Sequence, residues 1–196
     1  MVFEHQDQSG EAEVSAASRY TLTAIALHWI VACIVLFQIG YGWYLDGVPR
    51  GTLERAIVVN LHKSIGVTAG LLVCVLLWWR TGHPAPAFPG SMPKWEARLA
   101  KWGHAGLYAC LVVVPLSGYL GSNFSRYGVK YFGLVTLAPW GADNKSLYAL
   151  LNGAHVVTSY VFVALIAAHV LAVLKHALVD RDATLRRMLP RARSLK

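Results

Sequence analysis

Charge is scarce in this sequence, and acidic charge is kept out of its long apolar runs. Only 14% of the 196 residues are Asp, Glu, Lys or Arg, against about 25% in a typical soluble domain. Leu147–Leu174 and Tyr20–Leu45 contain none of the four. A soluble helix of that length needs a polar face, and these stretches have none. Cysteine is equally sparse: Cys33, Cys74 and Cys110 lie in apolar runs with no pair at redox-motif spacing. That excludes a disulfide framework and dithiol chemistry, and the expectation is three small, buried apolar side chains. The first 18 residues carry Glu4, Asp7, Glu11 and Glu13 but no Lys or Arg. They lack the basic start of a signal peptide, and the apolar run that follows is too long for a signal core. This segment reads as a disordered, uncleaved tail. No long internal repeat is present.

What remains is mostly hydrophobic: 56% of residues, with a positive mean hydropathy. Four apolar spans are expected at about 20–45, 56–79, 102–122 and 147–177, each near the ~20 residues that cross a bilayer. The predicted fold is an all-α membrane protein, a four-transmembrane-helix bundle. A disordered tail (1–18) precedes the membrane domain (19–180), and a basic tail (181–196) follows it. Pro115 should kink the third helix, as neighbouring membrane helices allow. The Pro-rich segment Arg80–Lys101 reads as an irregular loop followed by a short interfacial stretch around Trp95–Leu99. Ala183–Leu189 reads as a short amphipathic helix on the membrane surface. Most aromatic residues near span ends, such as Trp43, Trp78 and Trp140, read as interfacial anchors.

Lys and Arg number twelve in the N-terminal tail, second loop and C-terminal tail, against six in the first and third loops. The positive-inside rule then puts both termini in the cytoplasm, as an even number of spans requires. The net charge of +8 fits basic ends facing anionic lipid rather than nucleic acid.

Ionisable groups inside membrane spans are costly and usually functional. His155 and His169 lie fourteen residues apart, close to four helical turns. They therefore share one helix face, about 21 Å apart along the axis. Each has partners at matching depth. His62 begins the second span on the outer side, beside His155. His28 and His104 lie on the inner side with His169. A neutral imidazole on each face of a haem fills both axial positions of its iron, giving a closed centre that passes electrons. Two stacked haems on a shared helix are the leading reading. Interhelical hydrogen-bonding histidines explain the two matched depths less well. A metal transporter would more naturally add Asp or Glu along its path, and the four spans hold none.

Gly66 and Gly70 follow His62 at i+4 and i+8 on its own face. They leave room for a flat macrocycle or for close helix packing. His104 could support a ligand, hold a haem carboxylate, border a quinone site or itself be the inner ligand. His5, His83 and His176 read as solvated or lipid-facing. Lys63, Arg126 and Lys130 fall on the outer surface, where they could hold haem carboxylates or steer an anionic substrate.

Several segments together resemble the bacterial cytochrome b561 family of the cytoplasmic membrane. They are Arg19-Tyr20, Ala26-Leu27-His28-Trp29, Leu61-His62-Lys63-Ser64-Ile65-Gly66, Trp102-Gly103-His104 with Tyr108, Pro115-Leu116-Ser117-Gly118, Phe132-Gly133-Leu134, the His155/His169 pair, and Thr184-Leu185-Arg186-Arg187-Met188-Leu189-Pro190. Each is weak alone; their order and spacing are specific, over about Arg19 to Arg191. The resemblance implies two b-type haems, the outer held by His62 and His155, the inner by His28 and His169. The same pattern is similar to the cytochrome b subunits of membrane formate dehydrogenases and hydrogenases, which pass electrons from a periplasmic partner to quinone. Stand-alone members include superoxide oxidases, which reduce ubiquinone.

Two functions follow as expectations. One is a stand-alone inner-membrane oxidoreductase that moves electrons between a periplasmic donor, such as superoxide, and ubiquinone. The other is a membrane subunit serving a periplasmic dehydrogenase or c-type cytochrome. A third, haem-free transport or structural role would leave the protein colourless. The sequence leaves homodimerisation open.

Overall fold

The computed structural model describes residues 19–88 and 92–189. The expectations for the tail 1–18, His5, Pro89 and the basic residues Arg191, Arg193 and Lys196 lie outside the described residues.

Four long helices carry the fold: α1 (Leu22–Gly47), α2 (Leu53–Gly82), α3 (Lys94–Asn123) and α4 (Lys145–Leu178). All four are long and apolar enough to cross a membrane. The chain is a four-helix membrane bundle, as the charge-free runs imply.

Polar side chains set the helix starts. Thr21, Thr52 and Asn144 each accept a hydrogen bond from the backbone N–H three residues on, satisfying a donor that the first turn leaves orphaned. Arg55 Nη1 donates to Leu45 O at 2.8 Å, covering a carbonyl at the end of α1. The third helix begins earlier than the apolar span. Trp95–Leu99, expected as a separate interfacial stretch, is the first turns of α3. Pro93 stands just before the helix, Glu96 favours its N-terminal end, and nothing from Trp95 to Trp102 breaks it.

Consecutive helices pack side by side, α3 against α4 most extensively. Val31, Val73 and Leu76 form a core with Leu27, Tyr108 and Leu111 around them. Outward faces stay apolar: Leu36, Phe37, Leu71, Trp78 and Leu171 are exposed. A soluble protein rarely shows so large an apolar belt; here lipid covers it. Lipid tails are as apolar as leucine, so close packing rather than water exclusion holds the helices together. Small residues provide that contact. A Cβ on Gly70 would lie 3.4 Å from Pro115, and one on Gly106 would lie 3.1 Å from Leu165. Cys110 is buried, but Cys33 and Cys74 face outward rather than into the core; all three are free thiols.

The third loop contains structure that periodicity did not reveal. Strands β1 (Val129–Tyr131) and β2 (Val135–Leu137) pair antiparallel, with Val129 opposite Leu137. The turn uses positive φ at Phe132 (48°) and Gly133 (74°). At Gly128 (φ 55°) a Cβ would sit 2.6 Å from Leu137 O, so only glycine fits. The hairpin docks on one stripe of α2. Asn60 Oδ1 accepts from Lys130 N at 2.9 Å, Ser64 Oγ accepts from Phe132 N at 2.9 Å, and Thr68 Oγ1 lies 3.0 Å from the Tyr131 hydroxyl. These three residues repeat at i, i+4 and i+8, leaving the opposite face of α2 to His62 and Gly66.

At the other end of the bundle, Leu185–Met188 is a single 3₁₀ turn rather than an amphipathic α-helix. Its carbonyls are bonded to α1 and to the segment leading into it. Arg19 Nη2 donates to Arg186 O at 2.7 Å, and Trp29 Nε1 donates to Met188 O at 2.8 Å. Lys175 Nζ lies 2.8 Å from both Glu96 Oε1 and Asp180 Oδ2. His176, expected to be solvated or lipid-facing, is instead largely covered and lies 2.8 Å from Asp182 Oδ2. Burial would raise the Asp182 carboxyl. Hydrogen bonds from Thr184 and the neighbouring His176 outweigh it and hold the carboxyl below its usual range.

Candidate functional site

The four transmembrane helices bring histidines together at two levels. At the hairpin end, His62 of α2 and His155 of α4 have ring centres 6.1 Å apart, with planes at 88°. At the opposite end, where the described residues begin and finish, His28 of α1 and His169 of α4 are 6.5 Å apart at 60°. His104 of α3 is also close, 5.5 Å from His169 at 71°. A metal–imidazole nitrogen distance of about 2.0 Å places two rings on opposite sides of one metal about 6 Å apart between centres. Both levels match that spacing.

Hydrogen bonds orient the rings. His155 Nδ1 lies 2.8 Å from Val114 O. A carbonyl only accepts, so Nδ1 carries the hydrogen and Nε2 keeps its lone pair for a metal. Gly118 makes this placement possible: a Cβ there would meet His155 Nδ1 at 3.0 Å and Cε1 at 3.2 Å. Pro115 sits in α3 beside that carbonyl. His104 Nδ1 is bonded to Ala100 O at 2.7 Å, which likewise leaves its Nε2 free. His28 and His169 are half-buried, whereas His104 is exposed.

A cavity of about 830 Å³ opens around the hairpin-end pair, within the ~300–1,000 Å³ typical of ligand sites. Gln38, Gly42, His62, Gly66, Gly118 and His155 line it, with Arg50, Arg55 and Lys63 among its cationic residues. The two glycines after His62 therefore divide in role. Gly66 borders the cavity, while Gly70 meets Pro115 in a helix contact. His62 Nδ1 is buried and has no hydrogen-bond partner among the described residues. A roomy cavity, facing imidazoles at metal-bridging distance and an unpartnered ligand-type nitrogen fit a planar macrocyclic metal cofactor.

The cations expected at the outer surface are placed differently from one another. Lys63 points back to Gly128 O at 3.0 Å and is half-buried. Arg126 pairs with Asp143 at 3.2 Å. Lys130 is exposed and bonds Asn60 through its backbone. Among the remaining histidines, His83 stacks on Trp79 at 4.0 Å.

Two residues escaped the sequence reading. Arg80, near the terminal end of α2, lies over the Tyr20 ring at 4.7 Å and donates to the Tyr108 hydroxyl at 3.3 Å. Its Nη1 is buried with no partner among the described residues. Gln38 Oε1 is orphaned in the same sense. A lone Gln or Arg in an apolar run was the available signal.

The sequence profile described as prokaryotic cytochrome b561 matches residues 19–191. Cytochrome b561 homolog 2 of Escherichia coli K12 is 31% identical over 181 residues, covering 90% of this chain and 94% of that protein. Cytochrome b561 homolog 1 of the same organism is 27% identical over 178 residues, covering 89% and 98%. A Yersinia pestis protein named probable superoxide oxidase CybB is 24% identical over 181 residues, covering 89% and 98%.

Proposed function

The chain belongs to the prokaryotic cytochrome b561 family, and from that premise we propose that it carries two haems b and moves electrons between a periplasmic donor and the membrane quinone pool. Membership makes it a multi-pass bacterial membrane protein of haem b electron transfer. The number of haems, their ligands, the donor and the acceptor are our reading.

The observation that carries it is the two-level arrangement of imidazoles on one helix. His155 and His169, fourteen residues apart on α4, each face a histidine of another helix at about 6 Å. We assign His62 and His155 to the outer haem, and His28 with His169 to the inner one. Half-burial favours His28 over the exposed His104 as the inner ligand. Held by these four histidines, haem b would supply one-electron transfer.

The protein's own residues do the rest. Val114 O holds His155 in the ligating tautomer. Apolar helix faces exclude water. Lys63, Arg50 and Arg55 offset carboxylate charge at the outer level, and the unpartnered Nη1 of Arg80 does so at the inner level. Both termini lie in the cytoplasm, by the distribution of Lys and Arg. Superoxide is the donor suggested by the name of the Yersinia relative, and ubiquinone is the acceptor that goes with it.

The test is superoxide-driven ubiquinone reduction by purified protein, with haem counted per chain. Activity that falls with salt supports the reading, since anion steering is screened. Absence of activity, with stable co-purification of a periplasmic redox protein, would reassign the chain as that partner's membrane subunit.

A further inference from the structure

The two outer histidines are held differently. His155 has its Nδ1 satisfied by a backbone carbonyl. His62 has no such acceptor among the described residues. A histidine that ligates through Nε2 carries its hydrogen on Nδ1, and such ligands almost always donate it to a carbonyl, carboxylate or water. Leaving that donor unpaired in a membrane interior is costly.

An orphaned acceptor borders the same cavity. Gln38 of α1 donates through Nε2 to the backbone carbonyl of His62 at 2.9 Å. Its Oε1 is buried without a partner among the described residues. One helical turn on, Gly42 receives the His62 ring, its Cβ position 3.7 Å from His62 Cε1. Residues 38 and 42 thus form one stripe of α1 that holds His62 at two points. Gly66, with its Cβ position 3.5 Å from Gln38 Nε2, leaves the amide room to turn, and the terminal torsion of Gln is broad.

We propose that Gln38 is a positioning residue for His62, its Oε1 accepting the hydrogen of His62 Nδ1 while its Nε2 stays on the His62 carbonyl. The bond fixes the ring and raises the basicity of the ligating nitrogen, which favours the ferric state. One outer ligand is then oriented by backbone and the other by a replaceable side chain. This rests on the assignment of His62 as an outer ligand.

The experiment is a potentiometric titration of the full-length, detergent-purified protein, with haem counted per chain, for the wild type, Gln38→Leu, Gln38→Met and Gln38→Glu, and with His62→Ala alongside. Gln38→Leu and Gln38→Met should shift one haem toward reduction by about tenfold, which is about 59 mV for one electron, and leave the other unchanged. Gln38→Glu keeps an acceptor oxygen and should stay at or below the wild-type potential. If Gln38→Leu loses haem, the Met and Glu variants decide. Gln38→Met at the wild-type potential would overturn the proposal, because it keeps the volume and lacks a good acceptor. Retention of both haems by His62→Ala would instead overturn the ligand assignment, so the two failures are distinguishable.

Discussion

At the hairpin end, His62 and His155 face each other in a cavity and His155 is fixed by a backbone carbonyl. At the opposite end, His169 lies between two imidazoles, His28 at 6.5 Å and His104 at 5.5 Å, with an arginine nearby that lacks a partner for one nitrogen among the described residues. The outer level has one obvious partner for α4 and the inner level has a choice. Backbone geometry supports the proposed outer pair, since the carbonyl that holds His155 cannot rotate away from its helix. Burial favours His28 in the proposed inner pair, because it is half-buried where His104 is exposed.

The largest expected effect breaks the outer level alone. His155→Ala should lose one of the two haems and leave the inner spectrum largely intact; two haems retained would refute the outer assignment. Gly118→Ala comes next. Its Cβ would sit 3.0 Å from His155 Nδ1, so the ring must move from its carbonyl. Haem retention at that level should weaken about 10- to 100-fold, the usual cost of disturbing a ligand's support, as measured by haem loss to apomyoglobin.

Arg80→Gln probes the inner level. Removing a cation disfavours the reduced state, so one potential should fall by roughly tenfold in its reduction equilibrium. That is the scale of one unit charge about 12 Å away at an effective dielectric of about 20. The outer potential should not move. Asp182 gives a smaller effect outside the membrane. Its carboxyl is held below the ordinary value, so its contribution is present above about pH 3.9 and is lost as the pH falls through the lower folded value. An acid-tolerant protease should release the C-terminal segment of the wild type only in that acid range, and of Asp182→Asn at higher pH as well. His104→Ala should keep both haems; loss of the inner one would move the ligand from His28 to His104.

The contrast between the levels also marks what the sequence could reveal. Charge-free runs expose the spans directly, because a bilayer tolerates few ionisable groups. Histidine depth follows from the 1.5 Å rise of a helix, so the two levels were legible before any coordinates. The hairpin was not: three-residue strands are too short for alternation to register, and the turn places Phe132 at positive φ, which no composition rule anticipates. The start of α3 was hidden because Trp95–Lys101 carries charge that an apolar window rejects, though its residues are good helix formers. Gln38 and Arg80 are visible in sequence only as lone polar residues in apolar runs; which of their atoms lack a partner emerges only from tertiary structure. The choice between His28 and His104 depends on side-chain exposure and is equally invisible to spacing.

The most direct test of the central claim is the reduced-minus-oxidised spectrum of the purified wild type, with haem counted per chain and carbon monoxide added to the reduced form. The account predicts two low-spin b haems per chain and a spectrum unchanged by carbon monoxide, because both axial positions of each iron are filled. A single haem per chain, or a carbon monoxide complex, would contradict it.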